Sequence, residues 1–229
     1  MTDFSAAAVR LGARRSVPIL LGLIPFGLVI GVMAQGQGLS LAEAGLMSAL
    51  CFAGSAQLLA LGHWGVPAPI LAASVAAFVI NLRLALMGPV LAPWLDRVRG
   101  WRLWGSLFLM VDQNWALSVE HMRRGEGDAG FLFGSGVLIW VTWVATTLAG
   151  HVLGSLVQPS PGHPLFFAAL AVFVALLVPM WRGRADVVPW LVAACAATLA
   201  SRMLPGSWYI LIGALSGGLA GVIQDRRAA

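Results

Sequence analysis

Apolar residues in this chain run in long blocks instead of alternating with polar ones, and the polar residues gather in short stretches between the blocks. A helix needs roughly 17 to 25 apolar residues to cross the hydrocarbon core of a bilayer. Blocks of that size fall at 17–35, 41–62, 67–92, 103–120, 131–157, 164–181, 187–203 and 208–223. These predict an all-α, polytopic transmembrane bundle of seven or eight segments, with a cytoplasmic tail over 1–16, a single transmembrane domain over 17–223 and a C-terminal tail over 224–229. Nine of the twelve prolines lie at or near the block edges, while Pro25, Pro89 and Pro179 fall inside and kink or end a helix. Seven of the ten tryptophans (Trp64, Trp94, Trp101, Trp104, Trp181, Trp190 and Trp208) sit near block ends, as an interfacial aromatic belt would place them.

Composition narrows the class. The chain is 59% hydrophobic and 10% charged, against about 25% charged for a soluble domain, which excludes a cytosolic enzyme, a secreted domain and a disordered chain. The net charge is +5. In a soluble protein that excess would suggest nucleic acid, but here every base is Arg, and nearly all the arginines lie in short runs between apolar blocks. They read as topology signals facing anionic lipid headgroups, with no nucleic-acid role. Cys51 and Cys195 lie inside apolar blocks and read as small hydrophobes. The histidines form no cluster, so neither a metal nor a cofactor is expected. The first block has no small-residue cleavage site before Gln35 and reads as an uncleaved span.

Eight spans with the N-terminus inside put nine loop or tail arginines on the cytoplasmic side, namely 10, 14, 15, 123, 124, 182, 184, 226 and 227. Arg97, Arg99, Arg102 and Arg202 fall on the other side. The cluster at 97–102 moves inside if a preceding segment is re-entrant, which gives seven spans as the alternative. The 41–62 segment is the suspect, because Gly54-Ser55 interrupts it.

Glycine spacing predicts where helices touch. Gly213, Gly217 and Gly221 form overlapping G-x-x-x-G motifs, and Gly27 with Gly31 and Gly150 with Gly154 form one each. Two ionisable residues lie deep in apolar blocks, Arg83 in the third and Asp112 in the fourth, where insertion costs about 2.5 to 3.5 kcal/mol. The second block adds Gly54, Ser55 and Gln57, a weakened helix followed by a buried amide. That pattern suits either a discontinuous helix lining a cavity or a plain small-residue packing face. Asn81 lies about 200° round the helix from Arg83. Arg83 or a helix N-terminus can take a substrate carboxylate and Asp112 an ammonium or a proton. The pair can equally be a structural salt bridge. His151, at i+4 from Thr147, reads as a hydrogen-bonded helix-end residue more readily than as a proton relay.

The strings Leu23-Ile24-Pro25-Phe26-Gly27, Met47-Ser48, Phe52-Ala53-Gly54-Ser55-Ala56-Gln57 and Asn81-Leu82-Arg83 resemble the AzlC family of branched-chain amino acid permeases. The likeness extends to an acidic residue in the fourth block, a fifth rich in Trp and Thr and a Gly-rich last block. The resemblance implies the large subunit of a non-enzymatic secondary exporter in the bacterial inner membrane. Its expected substrates are leucine, isoleucine, valine and methionine, its drive the proton-motive force, and its partner a small AzlD-like membrane subunit. The alternatives are a structural or assembly subunit, or a transporter of another small amino acid or organic solute. Two positions depart from the family pattern: Leu84 stands where a His usually follows Asn-Leu-Arg, and Gln113 stands where a second acid usually follows Asp112. Proton coupling would then fall to Asp112 alone, with Gln113 beside it as a polar candidate.

Overall fold

The computed structural model describes residues 4–62, 64–65, 70–125, 127–157, 181, 183–204 and 208–228. The sixth apolar block, 164–181, lies outside the described residues except for Trp181. The helices are α1 (Ala6–Ser16), α2 (Leu20–Gly36), α3 (Leu41–Cys51), α4 (Gly54–Gly62), α5 (Ile70–Met87), α6 (Ala92–Leu95), α7 (Trp101–Phe108), α8 (Asp112–Arg123) and α9 (Gly130–Val157), followed by α10 (Val187–Met203) and α11 (Trp208–Ala228). This is an all-α membrane bundle. Three helical stretches, Ala6–Gly36, Gly130–Leu156 and Arg184–Met203, are long and apolar enough to cross a bilayer.

The stretch expected to be a tail is mostly helix. A short 3-10 turn over Val17–Ile19 joins α1 to α2, with Pro18 at its start, where a missing N–H costs nothing. The result is a rod of 31 residues, roughly 46 Å long at 1.5 Å per residue.

That rod runs parallel to α9. Both begin at Asp128, whose carboxylate accepts from the backbone N–H of Ser5 at 3.1 Å and of Gly130 at 2.8 Å. The Ser5 hydroxyl in turn accepts from Ala8 N–H and caps α1. Along the rod, Ser16 and Ser135 join hydroxyls. Small residues then let the two backbones meet. A Cβ on Gly12 would land on the Phe131 carbonyl, and one on Gly134 would land on the Val9 carbonyl. Farther along, a Cβ on Gly31 would strike the Thr147 carbonyl and one on Gly150 the Leu28 carbonyl. The contacts are reciprocal, each helix giving a glycine to the other's carbonyl. Lipid supplies no hydrophobic drive between helices, so this close backbone approach is what holds them.

The C-terminal pair is an antiparallel hairpin. Gly213 faces Ala197, Gly217 faces Ala193 and Gly221 lies by Pro189, so the triple glycine face is turned toward α10 of the same chain.

Both α7 and α8 meet the same end of α9. The Trp101 ring packs edge-on against Phe4 and Phe133, while the His121 ring stacks on Phe131 with centroids 4.0 Å apart and meets Trp94 edge-on. The fourth apolar block was read as a span. Instead it dips in as α7, turns at 109–111 and returns as α8. Its 8 and 12 residues per limb are too short for either to cross alone. Contacts at this end also place the odd arginine cluster. Trp101 and Arg102 pack on Phe4, with the Arg102 guanidinium 5.2 Å from the Phe4 ring centre. The 97–102 arginines therefore share one end of the bundle with Arg10, Arg123 and Arg124, as the re-entrant alternative requires.

The glycine seam yields a direct test. Gly31→Leu drives a side chain into the Thr147 carbonyl and should destabilise the detergent-solubilised protein by about 1–3 kcal/mol or more. Gly36→Ala, in open space on the same helix, should leave the thermal unfolding midpoint within a degree or two of wild type, by roughly the ±0.5 kcal/mol expected of a surface change.

Candidate functional site

The second apolar block is broken in its middle. A capping box opens α3: Ser40 N–H donates to the Glu43 carboxylate at 2.7 Å, and Glu43 N–H donates to the Ser40 hydroxyl at 3.2 Å. The helix stops at Phe52, which takes a left-handed conformation at φ 40° and ψ 40°. A bulky side chain at positive φ costs about 1–3 kcal/mol and persists only where surroundings enforce it. Ala53 follows, and α4 starts at Gly54.

The enforcing partners come largely from α9. Trp140 Nε1 donates to the Ala49 carbonyl at 2.9 Å, satisfying an acceptor that the broken helix leaves free. Gln57, 1% exposed, accepts from Trp143 Nε1 at 2.9 Å and donates from Nε2 to the Ser48 hydroxyl at 2.7 Å. Because Gln57 reaches back to Ser48, α4 folds against α3 instead of continuing its line. His151 closes the start of this unit, its Nε2–H donating to the Leu39 carbonyl at 2.7 Å.

Gly54 has a second role beyond weakening the helix. A Cβ there would sit 2.6 Å from Phe26 Cε1 and 2.8 Å from Trp143 Cη2, two rings that meet edge-on at 5.4 Å. Only glycine lets both aromatic side chains press on the start of α4.

The fourth block breaks differently. Asn114 spans its own gap, accepting at Oδ1 from Val111 N–H (2.8 Å) and donating from Nδ2 to the Leu109 carbonyl (2.7 Å). It is fully buried. Trp115 Nε1 ties the returning helix to the Met87 carbonyl at the end of α5.

The two breaks converge. Phe52 and Leu61 from the first and Leu109 from the second belong to one buried apolar cluster with Phe26, Ile139 and Trp143, and Val111 packs on its edge. Along α9, Gly136 touches Leu109 and Asn114 while Trp140 holds Ala49, so the turns lie about one helical turn apart in depth.

Of the residues singled out in the sequence, Gly54, Ser55 and Gln57 lie at the first break. Asp112 is the first residue of α8 at the second, half-buried, with Gln113 next to it. Asn81 comes from α5 to the first break, its side-chain amide within hydrogen-bonding reach of Cys51, while its buried Oδ1 has no partner among the described residues. Arg83 lies in α5, but its side chain, and with it the pairing to Asp112, is outside the described residues. The two segments are linked by one bond: the indole of Trp115, three residues after Asp112, reaches the carbonyl of Met87, one turn after Arg83. Sequence reasoning missed Ser48, Trp140, Trp143 and Asn114 as parts of the site. Among the described residues no three of His, Cys, Asp and Glu converge as metal ligands.

A family model described as AzlC protein matches residues 18–157, more than half of the chain. The chain belongs to the AzlC family. An "Uncharacterized membrane protein" of Archaeoglobus fulgidus is 30% identical over 78% of both chains. The "Inner membrane protein YgaZ" of Escherichia coli is 27% identical over 93% of this chain and 89% of its own length. The "Branched-chain amino acid transport protein AzlC" of Bacillus subtilis is 26% identical over 76% of this chain and 68% of its own. No solved structure matches the chain. The stretch matched as AzlC protein carries both broken helices and ends with α9, the helix that braces them.

The brace can be measured. Gln57→Leu strands the buried Trp143 indole N–H and should cost about 1–3 kcal/mol. Adding Trp143→Phe should recover part of that loss, so a double-mutant cycle on thermal unfolding should give a coupling of about 0.5–3 kcal/mol. Additive losses would show that the two side chains do not act as a pair.

Proposed function

We propose that this protein is the large subunit of a secondary transporter that exports branched-chain amino acids (leucine, isoleucine and valine), and methionine beside them, from the bacterial cytoplasm, working with a small AzlD-like membrane subunit. The observation that carries the reading is the meeting of two interrupted helices inside one apolar cluster. Irregular backbone at membrane depth is tolerated only where protein buries it or a cavity is lined. In secondary transporters such interrupted helices typically build the substrate site near the midplane. The relative named for branched-chain amino acid transport supports the substrate class.

The chemistry suits an aliphatic zwitterion. The first amides of α4, at Gly54 and Ala56, face the break where a helix N-terminus favours a carboxylate. The unpartnered Asn81 Oδ1 is an acceptor for the ammonium group. Phe26, Phe52 and Trp143 supply apolar walls for a branched side chain. Asp112 takes the coupling proton, with Gln113 unable to share it, and Arg83 sets the local field. The arginine-rich end faces the cytoplasm by the positive-inside rule, with the N-terminus on that side.

Two experiments test this. Cells lacking the protein should accumulate intracellular valine when fed valine-containing dipeptides, and expression together with the small subunit should reverse it. Unchanged accumulation in both strains would sink the export reading. Asp112→Asn should abolish uphill, proton-driven efflux while valine exchange survives; normal uphill export by that variant would remove Asp112 from coupling.

A further inference from the structure

We propose that a cleft between α1 and α8 at the arginine end is a binding site for the headgroup of an anionic phospholipid. Its polar lining is Arg15 of α1 on one side and, on the other, Glu120 and His121 of α8 with Arg124 just past the end of that helix. Its apolar lining is Leu11, Leu117 and Phe131.

Depth places this cleft in the headgroup layer. The α1–α2 rod of 31 residues is roughly 46 Å long, about 16 Å more than the hydrocarbon core. Its surplus is the arginine-bearing α1. Arg15 precedes Ser16, which bonds Ser135 a little over one turn into α9. Helical side chains trail toward the N-terminus of their helix, so the Arg15 guanidinium is carried outward, toward the level where His121 stacks on Phe131.

The charges in the cleft do not cancel. Arg124 is paired with Glu120, both more than half exposed. Arg15 makes no hydrogen bond or ion pair with any described residue. A phosphodiester bound there takes Arg15 directly and the outward N–H groups of Arg124. The glycerol and first methylenes of the chains lie on Leu11, Leu117 and Phe131. A soluble phosphate would leave those apolar walls unused, which favours a lipid. Basic pockets between transmembrane helices hold anionic headgroups in this way.

Native mass spectrometry of the purified full chain, incubated with equal phosphatidylglycerol and phosphatidylcholine of matched acyl length, tests the site. Phosphatidylglycerol should be retained in preference. Arg15→Gln should lower its retention about five-fold, as expected for one arginine near a membrane surface, and Arg124→Gln should act in the same direction from the other wall. Arg99→Gln, at the same end but outside the cleft, should leave retention unchanged, and Glu120→Gln, which frees Arg124, should raise it. An excess of glycerol 3-phosphate should not displace the lipid. Equal losses from Arg15→Gln and Arg99→Gln would replace the site with diffuse surface charge. Equal retention of the two lipids, or displacement by glycerol phosphate, would overturn the assignment. Unfolding midpoints of each variant separate loss of the site from loss of the fold. None of these readouts depends on transport.

Discussion

The structure depends on a backbone-to-backbone seam between two parallel helices. Once Gly12, Gly31, Gly134 and Gly150 allow the α1–α2 rod and α9 to touch along their length, they form one rigid post. Every unusual feature nearby is then fastened to that post. Trp140, Trp143 and His151 reach from it to hold the first broken helix, and Gly136 receives the turn of the second. A side chain at any seam glycine would push the helices apart and loosen both breaks together.

The two breaks solve the same problem by different means. In hydrocarbon an unpaired backbone group costs several kcal/mol, so each interruption needs local donors and acceptors. The second break carries its own, because Asn114 bonds both a donor and an acceptor across the gap. The backbone groups at its turn therefore need no partner from another helix. The first break borrows its partners from α9 and holds Phe52 at an unfavourable φ. Shifting it would unmake the Gln57–Trp143 and Trp140–Ala49 bonds at once. The more self-contained element is the α7–α8 hairpin, which opens toward the arginine end, and glycines with positive φ flank it at Gly100 and Gly125.

Much of this was legible in the sequence, and the illegible part has a physical cause. Apolar blocks gave the membrane class, and the Gly54-Ser55 pair followed by Gln57, which weaken a helix and need polar partners, left a discontinuous second helix open beside a plain small-residue packing face. Ser40-x-x-Glu43 is a capping box readable by eye. The second break carries no Gly or Pro, only Val111-Asp112-Gln113-Asn114 within an apolar run, so periodicity reads straight across it. Its signal is the Asn at the third helical position, a capping residue that hydropathy does not weigh. Trp140 and Trp143 were invisible as site residues because an indole's apolar bulk dominates its pattern while its single N–H does the bracing.

Arginine placement shows how one structural fact can reorder several sequence readings. With eight full crossings, Arg97, Arg99 and Arg102 fall on the wrong side of the charge rule. The fold-back of α4 onto Ser48 precedes the cluster and moves it, and Trp101 on Phe4 marks the end it reaches. A hairpin that comes back to its starting side changes the crossing count by one, and so must be matched by another for α2 and α9 to remain parallel. The α7–α8 hairpin supplies that second change, since Trp101 and His121 both lie at the Phe131–Phe133 end of α9. Two hairpins dipping from opposite ends thus follow from the parallel seam together with the single-sided arginines, and their turns are brought to nearly the same depth by the one helix that braces both.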